Sequence, residues 1–288
     1  MQQNALTLVL LGDQPLPAEL LADIAQATDA KAEQKAEAAW SFARASKTEA
    51  FFALLPRLDA ARLDFGFLPT GKTLADFKLA AFDMDSTLIT IECIDELADF
   101  AGQKKAVAEV TEAAMRGQMD YRESLRQRLA LLAGLPAGVL ARVYAERLKF
   151  SPGARELIGA MQAAGLRTAL VSGGFTYFTE RLRIELGLDF ATSNELEIEN
   201  GKLTGRVIGE VIDAQAKAGK IVALQKKFSI RQCETITVGD GANDLLMMGE
   251  SGLSVAWRAK QAVRGRADVS LGYGGLDSLL KLWSFNRP

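Results

Sequence analysis

Histidine is missing altogether from the 288 residues. That absence excludes Ser-His-Asp hydrolysis and His-ligated zinc chemistry outright. Proton transfer near neutral pH then falls to a carboxylate, Lys, Tyr or Cys. Cysteine is scarce too. Cys93 and Cys233 are the only two; they offer neither a disulfide framework nor a metal-ligand spacing, which fits a reducing cytosol. The amino terminus lacks the basic, apolar and small-residue order of a signal peptide. No apolar run is long enough to span a bilayer. A cytoplasmic protein without a membrane partner is the expectation. An excess of one charge is lacking as well: 34 Lys and Arg stand against 36 Asp and Glu, a formal net charge of −2. Nothing in that balance argues for a nucleic-acid partner. What remains is an ordinary globular composition, long enough for two domains or one large one.

The chain is organised around Leu79-Ala80-Ala81-Phe82-Asp83-Met84-Asp85-Ser86-Thr87-Leu88. Leu79 to Phe82 has the length and apolar character of a strand buried on both faces of a parallel sheet. Asp83 and Asp85 then sit just past its carboxyl end, where open α/β sheets bind ligands. Residues two apart on extended backbone point the same way, so both carboxylates can face one small site. They stay together only if a cation neutralises them or one keeps a proton. Taken alone, an Asp or Ser here reads equally well as a helix N-cap.

Residues 1 to about 72 read as a separate unit. Ala5 to Leu11, Trp40 to Ala45 and Leu63 to Leu68 carry strand patterns; Pro17 to Ala27 and Lys47 to Leu58 carry helical ones. Ala30 to Ala39 has a helical composition, but a strand there would complete a βαββαβ, ferredoxin-like order. Pro69-Thr70-Gly71 marks the boundary. Residues 91–150 read as several helices, including Glu92 to Phe100, Lys104 to Met115, Tyr121 to Leu132 and one from Pro136 to Leu148. A helical block inserted after the first strand of a sheet reads as a lid or cap. From Ser151 strands and helices alternate again, with a hairpin around Asn200-Gly201, so a doubly wound parallel sheet is expected over 76–288.

Three strand ends carry complementary polar groups. The first presents Asp83 and Asp85. The second presents Ser172 with the amides of Gly173 and Gly174, which can approach an anion closely because Gly has no Cβ. The third presents Asp240, Asn243 and Asp244 in a Gly-rich turn. Lys217, near the start of a helix, adds a cation. Singly, these are ordinary turns and a solvated helix face. Together they suit a phosphate bound with a hard cation, and oxygen-only ligands favour Mg²⁺ over zinc.

These residues resemble the motifs of the haloacid dehalogenase superfamily of phosphatases: Asp83 to Thr87, Ser172 to Phe175, Lys217 and Gly239 to Asp244. In the cap, Glu92 to Leu97, Ala113 to Gly117 and Ser124 to Arg128 resemble its phosphoserine phosphatase branch. The resemblance covers about Lys78 to Leu282, and the N-terminal unit is similar to an ACT-like domain. It implies a Rossmann-like core with a helical cap, acting on a small-molecule phosphomonoester, O-phospho-L-serine. By motif, Asp83 would be the nucleophile and Asp85 the acid/base. Mg²⁺ would be held by Asp83, the Asp85 carbonyl and Asp240, with Asp244 in support. Ser172, Gly173 and Lys217 would hold the phosphoryl group, Glu92 and Arg128 the amino-acid end, with Asn243 a further polar contact. A homodimer through the N-terminal unit is one assembly the resemblance allows. A phosphotransferase acting on another hydroxyl is the alternative outcome at the same site.

Overall fold

The computed structural model describes residues 5–286. The N-terminal unit runs β1 (Leu6–Leu11), α1 (Ala18–Thr28), β2 (Ala32–Ala36), β3 (Ala39–Ala43), α2 (Glu49–Ala53), α3 (Leu55–Ala60) and β4 (Asp64–Pro69). Its strands lie in the order β2-β3-β1-β4, each pair antiparallel. That is the ferredoxin-like arrangement. The helical composition of Ala30 to Ala39 does not prevail. Asp29 takes a left-handed conformation that stops α1, and Ala32–Ala36 pairs with β3 as an edge strand whose Glu and Lys remain outside the core. Edge strands tolerate such residues, and sheet pairing outweighs a weak propensity. The helix expected from Lys47 to Leu58 is broken at Leu54. Pro56 lacks the amide a continuous helix needs and sits in the first turn of α3 instead. Phe51 fills the centre of this unit, edge-on to Phe65 and Phe67 at 5.1 and 4.8 Å between centroids.

The rest of the chain begins with β5 (Leu79–Phe82). Four cap helices follow: α4 (Cys93–Phe100), α5 (Lys104–Met115), α6 (Tyr121–Ala130) and α7 (Val139–Glu146). Then come α8 (Ala154–Ala163), β6 (Arg167–Phe175), α9 (Thr176–Leu186), β7 (Phe190–Glu199), β8 (Lys202–Ile208) and α10 (Ala214–Phe228). The chain closes with β9 (Thr235–Gly239), α11 (Leu245–Gly249), β10 (Leu253–Trp257), α12 (Gln261–Arg264), β11 (Val269–Leu271) and α13 (Ser278–Ser284). Strands β11-β10-β9-β5-β6-β7 are parallel neighbours, and β8 folds back on β7 as a hairpin. β5 lies at the centre with all four residues buried, as a parallel strand covered on both faces requires.

The two units share one sheet. β11 pairs antiparallel with β4, Val269 opposite Gly66 and Ser270 opposite Phe65. Lys47 bridges to Asp268 at 2.7 Å, and Arg264 pairs with Asp59. One continuous sheet of eleven strands results.

Two local departures shape the site. After β5 the chain makes a single wide turn, Met84–Leu88, with Ser86 left-handed at φ 55°. And β6 does not stop at Ser172 but runs on to Phe175. Its register with β7 jumps from Val171 opposite Thr192 to Phe175 opposite Asn194. That bulge lifts Ser172 to Gly174 out of the ladder. The cap hangs from two linkers that run antiparallel. Thr90 N–H donates to the Lys149 carbonyl at 2.9 Å and Ser151 N–H to the Leu88 carbonyl at 2.9 Å.

Candidate active site

The carboxyl ends of β5, β6 and β9 converge under the cap on a cavity of about 460 Å³. Asp83, Asp85, Glu92, Arg128, Ser172, Gly173, Asp240 and Asn243 all line it. Lys217 and Asp244 complete the set from beneath, 1% and 0% exposed. The structure thus brings together every site residue marked in the sequence.

Lys217 is the electrostatic centre of the floor. Its Nζ lies 2.8 Å from Asp83 Oδ1 and 2.9 Å from Asp244 Oδ1. Burial alone would drive the ammonium to lose its proton, but the two carboxylates outweigh it and hold the pKa above the ordinary Lys value. One ammonium does not balance the floor, however. Asp83, Asp240 and Asp244 each bring a carboxylate oxygen within 4.8 Å of the others. Burial, then the charge of Asp244, push Asp83 up, with Lys217 opposing. The same two causes push Asp240 up to about 6. Clustered oxygen donors with uncompensated negative charge fit a hard divalent cation.

The local backbone explains the cluster. Asp244 tucks back under its own loop, Oδ2 accepting from the amides of Asp240 and Gly241, each at 3.2 Å. A Cβ on Gly239 would collide with that carboxylate, so glycine is required there. Thr87 Oγ1 donates to Asp240 Oδ1 at 3.0 Å and orients it. Asp85 leans the other way. Its Oδ1 accepts from Cys93 N–H at 2.9 Å, at the start of α4. Burial is the main reason its carboxyl rises to about 7, and the charge of Asp83 adds to it. Gly174 is the second obligatory glycine, because a Cβ there would strike Asp85 Oδ2 and Met84. Ser172 Oγ accepts from Gly174 N–H at 2.9 Å, which leaves its proton free to be given to a ligand.

At the cap end, Glu92 Oε1 accepts from Ser86 Oγ at 2.6 Å. Enclosure by the cavity walls, then the charge of Asp85, push the Glu92 carboxyl up, although part of the residue still faces solvent. A carboxylate in that position gains from an incoming cation. Arg128 is half-buried on α6, and its Nε donates to the Ser124 carbonyl at a marginal 3.4 Å. Arg126, two residues away, points outward and pairs bidentately with Glu123 at 2.8 and 2.6 Å. The helical period places the two arginines on different faces.

Four further residues contribute without being marked as site residues in the sequence. Tyr121 Oη donates to the Gly173 carbonyl at 3.2 Å, joining cap to core. Asn194 donates to the same carbonyl at 2.7 Å. Met115 and Met119 add apolar surface to the cavity lining. Of these, Met115 at the end of α5 and Met119 in the turn after it could have been suspected from the cap's position; Asn194, in mid-strand, could not.

Comparisons with known proteins agree with this geometry. A family model of haloacid dehalogenase-like hydrolases matches residues 80–249. A phosphoserine phosphatase of Albidiferax ferrireducens is 54% identical over 223 residues, 76% of this chain and 94% of the relative. A crystal structure of a probable phosphoserine phosphatase from Vibrio cholerae, in unliganded form, superposes with a TM-score of 0.76 at 37% identity, covering 97% of this chain and 86% of the other. A substrate-bound phosphoserine phosphatase complex aligns at 38% identity with a TM-score of 0.67, over 71% of this chain and 97% of that one. The chain belongs to the haloacid dehalogenase-like hydrolases, among their phosphoserine phosphatases.

Proposed function

We infer that this protein hydrolyses O-phospho-L-serine to L-serine and phosphate through an aspartyl-phosphate. The observation that carries the reading is the pairing of two ends in one cavity. At the floor, Ser172, Gly173 and Lys217 surround a place for an anion beside Asp83. At the roof, Glu92 and Arg128 offer opposite charges to a group that itself carries an amine and a carboxylate. Phosphoserine has those three charged groups.

The chain's own residues then divide the work. Asp83 attacks phosphorus, and the bond to the seryl oxygen breaks as Asp85 gives that oxygen its proton. Asp85 next takes a proton from water, whose oxygen attacks the phosphorus and frees the Asp83 carboxylate and phosphate. Lys217 holds positive charge against the phosphoryl oxygens throughout. Asp83, Asp240 and the Asp85 main-chain carbonyl would hold Mg²⁺, with Asp244 in support, and the ion would add positive charge at the same oxygens. Arg128 grips the α-carboxylate, for which its planar fork is suited. Glu92 takes the α-ammonium, and Asn243 supplies a further polar contact.

We also propose residues 1–72 as the ACT-like unit, 76–288 as the phosphatase core and about 91–150 as the cap. A cytoplasmic setting follows from the chemistry of the substrate. No described helix is long and apolar enough to cross a membrane.

The direct test is phosphate release from a panel of small phosphomonoesters. Phosphoserine should be turned over with Mg²⁺ and not with EDTA. Asp240→Asn should raise the Mg²⁺ concentration needed for half-maximal rate by roughly tenfold or more, since a charged ligand is exchanged for a neutral one. A preference for zinc over Mg²⁺ would contradict the oxygen-donor argument.

Substrate choice is tested at the roof. Arg128→Ala removes a charge-assisted pair from an enclosed site, a loss of about 2 to 5 kcal/mol. KM for phosphoserine should rise by well over roughly tenfold, while p-nitrophenyl phosphate, with no carboxylate to grip, changes little. Arg126→Ala should be nearly silent, because it pairs with Glu123 on the exposed surface. Equal behaviour of the two mutants would show that the roof does not read an amino acid.

A further inference from the structure

Two separate segments supply the groups around the phosphoryl position: the bulge at Ser172 to Gly174, and the start of α10 with Lys217. One side chain ties them together. Asn194, on β7, is 1% exposed. Its Nδ2 donates to the Gly173 carbonyl at 2.7 Å, and its Oδ1 accepts from Ile212 N–H at 2.8 Å. Ile212 immediately precedes Asp213, whose carboxylate caps α10 by accepting from Ala216 N–H at 2.9 Å. Lys217 is the next residue along.

The bulge makes this contact necessary. Between Val171 and Phe175 the register with β7 is broken, so Gly173 and Gly174, the most freely rotating residues of the site, lie outside the ladder. The carboxamide of Asn194 replaces the missing ladder bond and fixes the plane of the Gly173–Gly174 peptide. Tyr121 Oη reaches the same carbonyl from the cap. The bond to Ile212 is buried and the one to Gly173 partly so, and buried polar groups are costly to leave unpaired.

We propose that Asn194 is a positioning residue for phosphoryl binding: it sets the Gly173 peptide and the entry to α10 in register, so that Ser172, the Gly173 amide and Lys217 converge on one phosphoryl group. The proposal rests on the phosphatase reading above. Asn194 does not touch the substrate, and the group it serves is common to every phosphomonoester. Its effect is therefore indifferent to the alcohol, unlike that of Arg128.

The experiment compares Asn194→Asp and Asn194→Ala with Ser193→Ala. Ser193 is the neighbouring residue on β7, and its Oγ meets Thr179 Oγ1 of α9 at 2.7 Å. Asn194→Asp keeps the size and the acceptor for Ile212 but faces the Gly173 carbonyl with oxygen. KM for phosphoserine, KM for p-nitrophenyl phosphate and the inhibition constant of inorganic phosphate should all rise together, roughly tenfold to a hundredfold, as a misplacement of about 1 Å does. Ser193→Ala should lower the melting temperature and leave all three constants at parental values. The inference is overturned if folded Asn194 variants keep all three constants within about twofold of the parent. It also falls if only phosphoserine is affected, which would place the effect in the cap, or if neither variant folds, which would make Asn194 a residue of the fold alone. If the parent hydrolysed p-nitrophenyl phosphate and not phosphoserine, the substrate reading would fail while the response of phosphate inhibition to Asn194 could still stand.

Discussion

Asp83→Asn should release no phosphate above background and yet fold as the parent does. The carboxylate is 4% exposed at the end of β5, and its Oδ1 accepts from Met84 N–H at 2.7 Å while lying 2.8 Å from Lys217 Nζ. An Asn side chain can accept both hydrogen bonds through its own oxygen, so the geometry survives. What is lost is a nucleophile able to form an acyl-phosphate, and no histidine or nearby cysteine thiolate can replace it. The only buried thiol near the site, Cys93, is pushed well above its usual pKa by burial and by Asp85, so it stays protonated. Two opposing effects act on stability. The exchange weakens the pair with Lys217 and relieves repulsion from Asp244 and Asp240. The net change in melting temperature should be a few degrees at most, about 1 kcal/mol for a chain of this size. A beryllofluoride adduct should form on Asp83 of the parent and be absent from the mutant. Substantial turnover by folded Asp83→Asn would refute the covalent route.

Much of this site was legible in the sequence because its chemistry is local. Asp83 with Asp85, Ser172 with Gly173, and Asp240 with Asp244 each lie within a few residues at a strand end, where period and punctuation can be read. Helices with clear stops were equally plain: Lys104–Met115 matches its expected limits. The failures share a cause. Ala32–Ala36 is a strand because β3 offers it hydrogen bonds, a partner that a local window does not contain. Helix continuity at Leu54 yielded to one proline. The two-residue bulge in β6 depends on its register with β7, and so does the role of Asn194. Tyr121 carries no local mark of its contact, a hydroxyl on the Gly173 carbonyl across the boundary between cap and core. What the sequence hides is pairing between distant segments, and in this protein that pairing shapes the cavity at the ends of β5, β6 and β9.

Asp85→Asn should separate the two chemical steps. Asp85 stands two residues from Asp83, held by Cys93 N–H, and burial raises its carboxyl to about 7. Burial thus lets the carboxyl keep a proton for the leaving oxygen at higher pH than an ordinary Asp would, and that proton is lost progressively as pH climbs. Asn keeps the bond from Cys93 N–H and carries no transferable proton. With phosphoserine the departing alkoxide is a strong base, so the first step should slow by about 10² to 10⁴-fold, the usual worth of general acid catalysis. With p-nitrophenyl phosphate the leaving group needs no proton, and phosphorylation of Asp83 should proceed. Hydrolysis of the aspartyl-phosphate still lacks its base. Rapid mixing of the mutant with p-nitrophenyl phosphate should thus give a burst of p-nitrophenolate stoichiometric with enzyme, followed by slow turnover, and the phosphoenzyme should accumulate. Phosphoserine should give no corresponding burst of serine. Equal slowing of the first step on both substrates, with no burst on either, would mean that Asp85 acts by organising the floor around Asp83 and not by moving a proton.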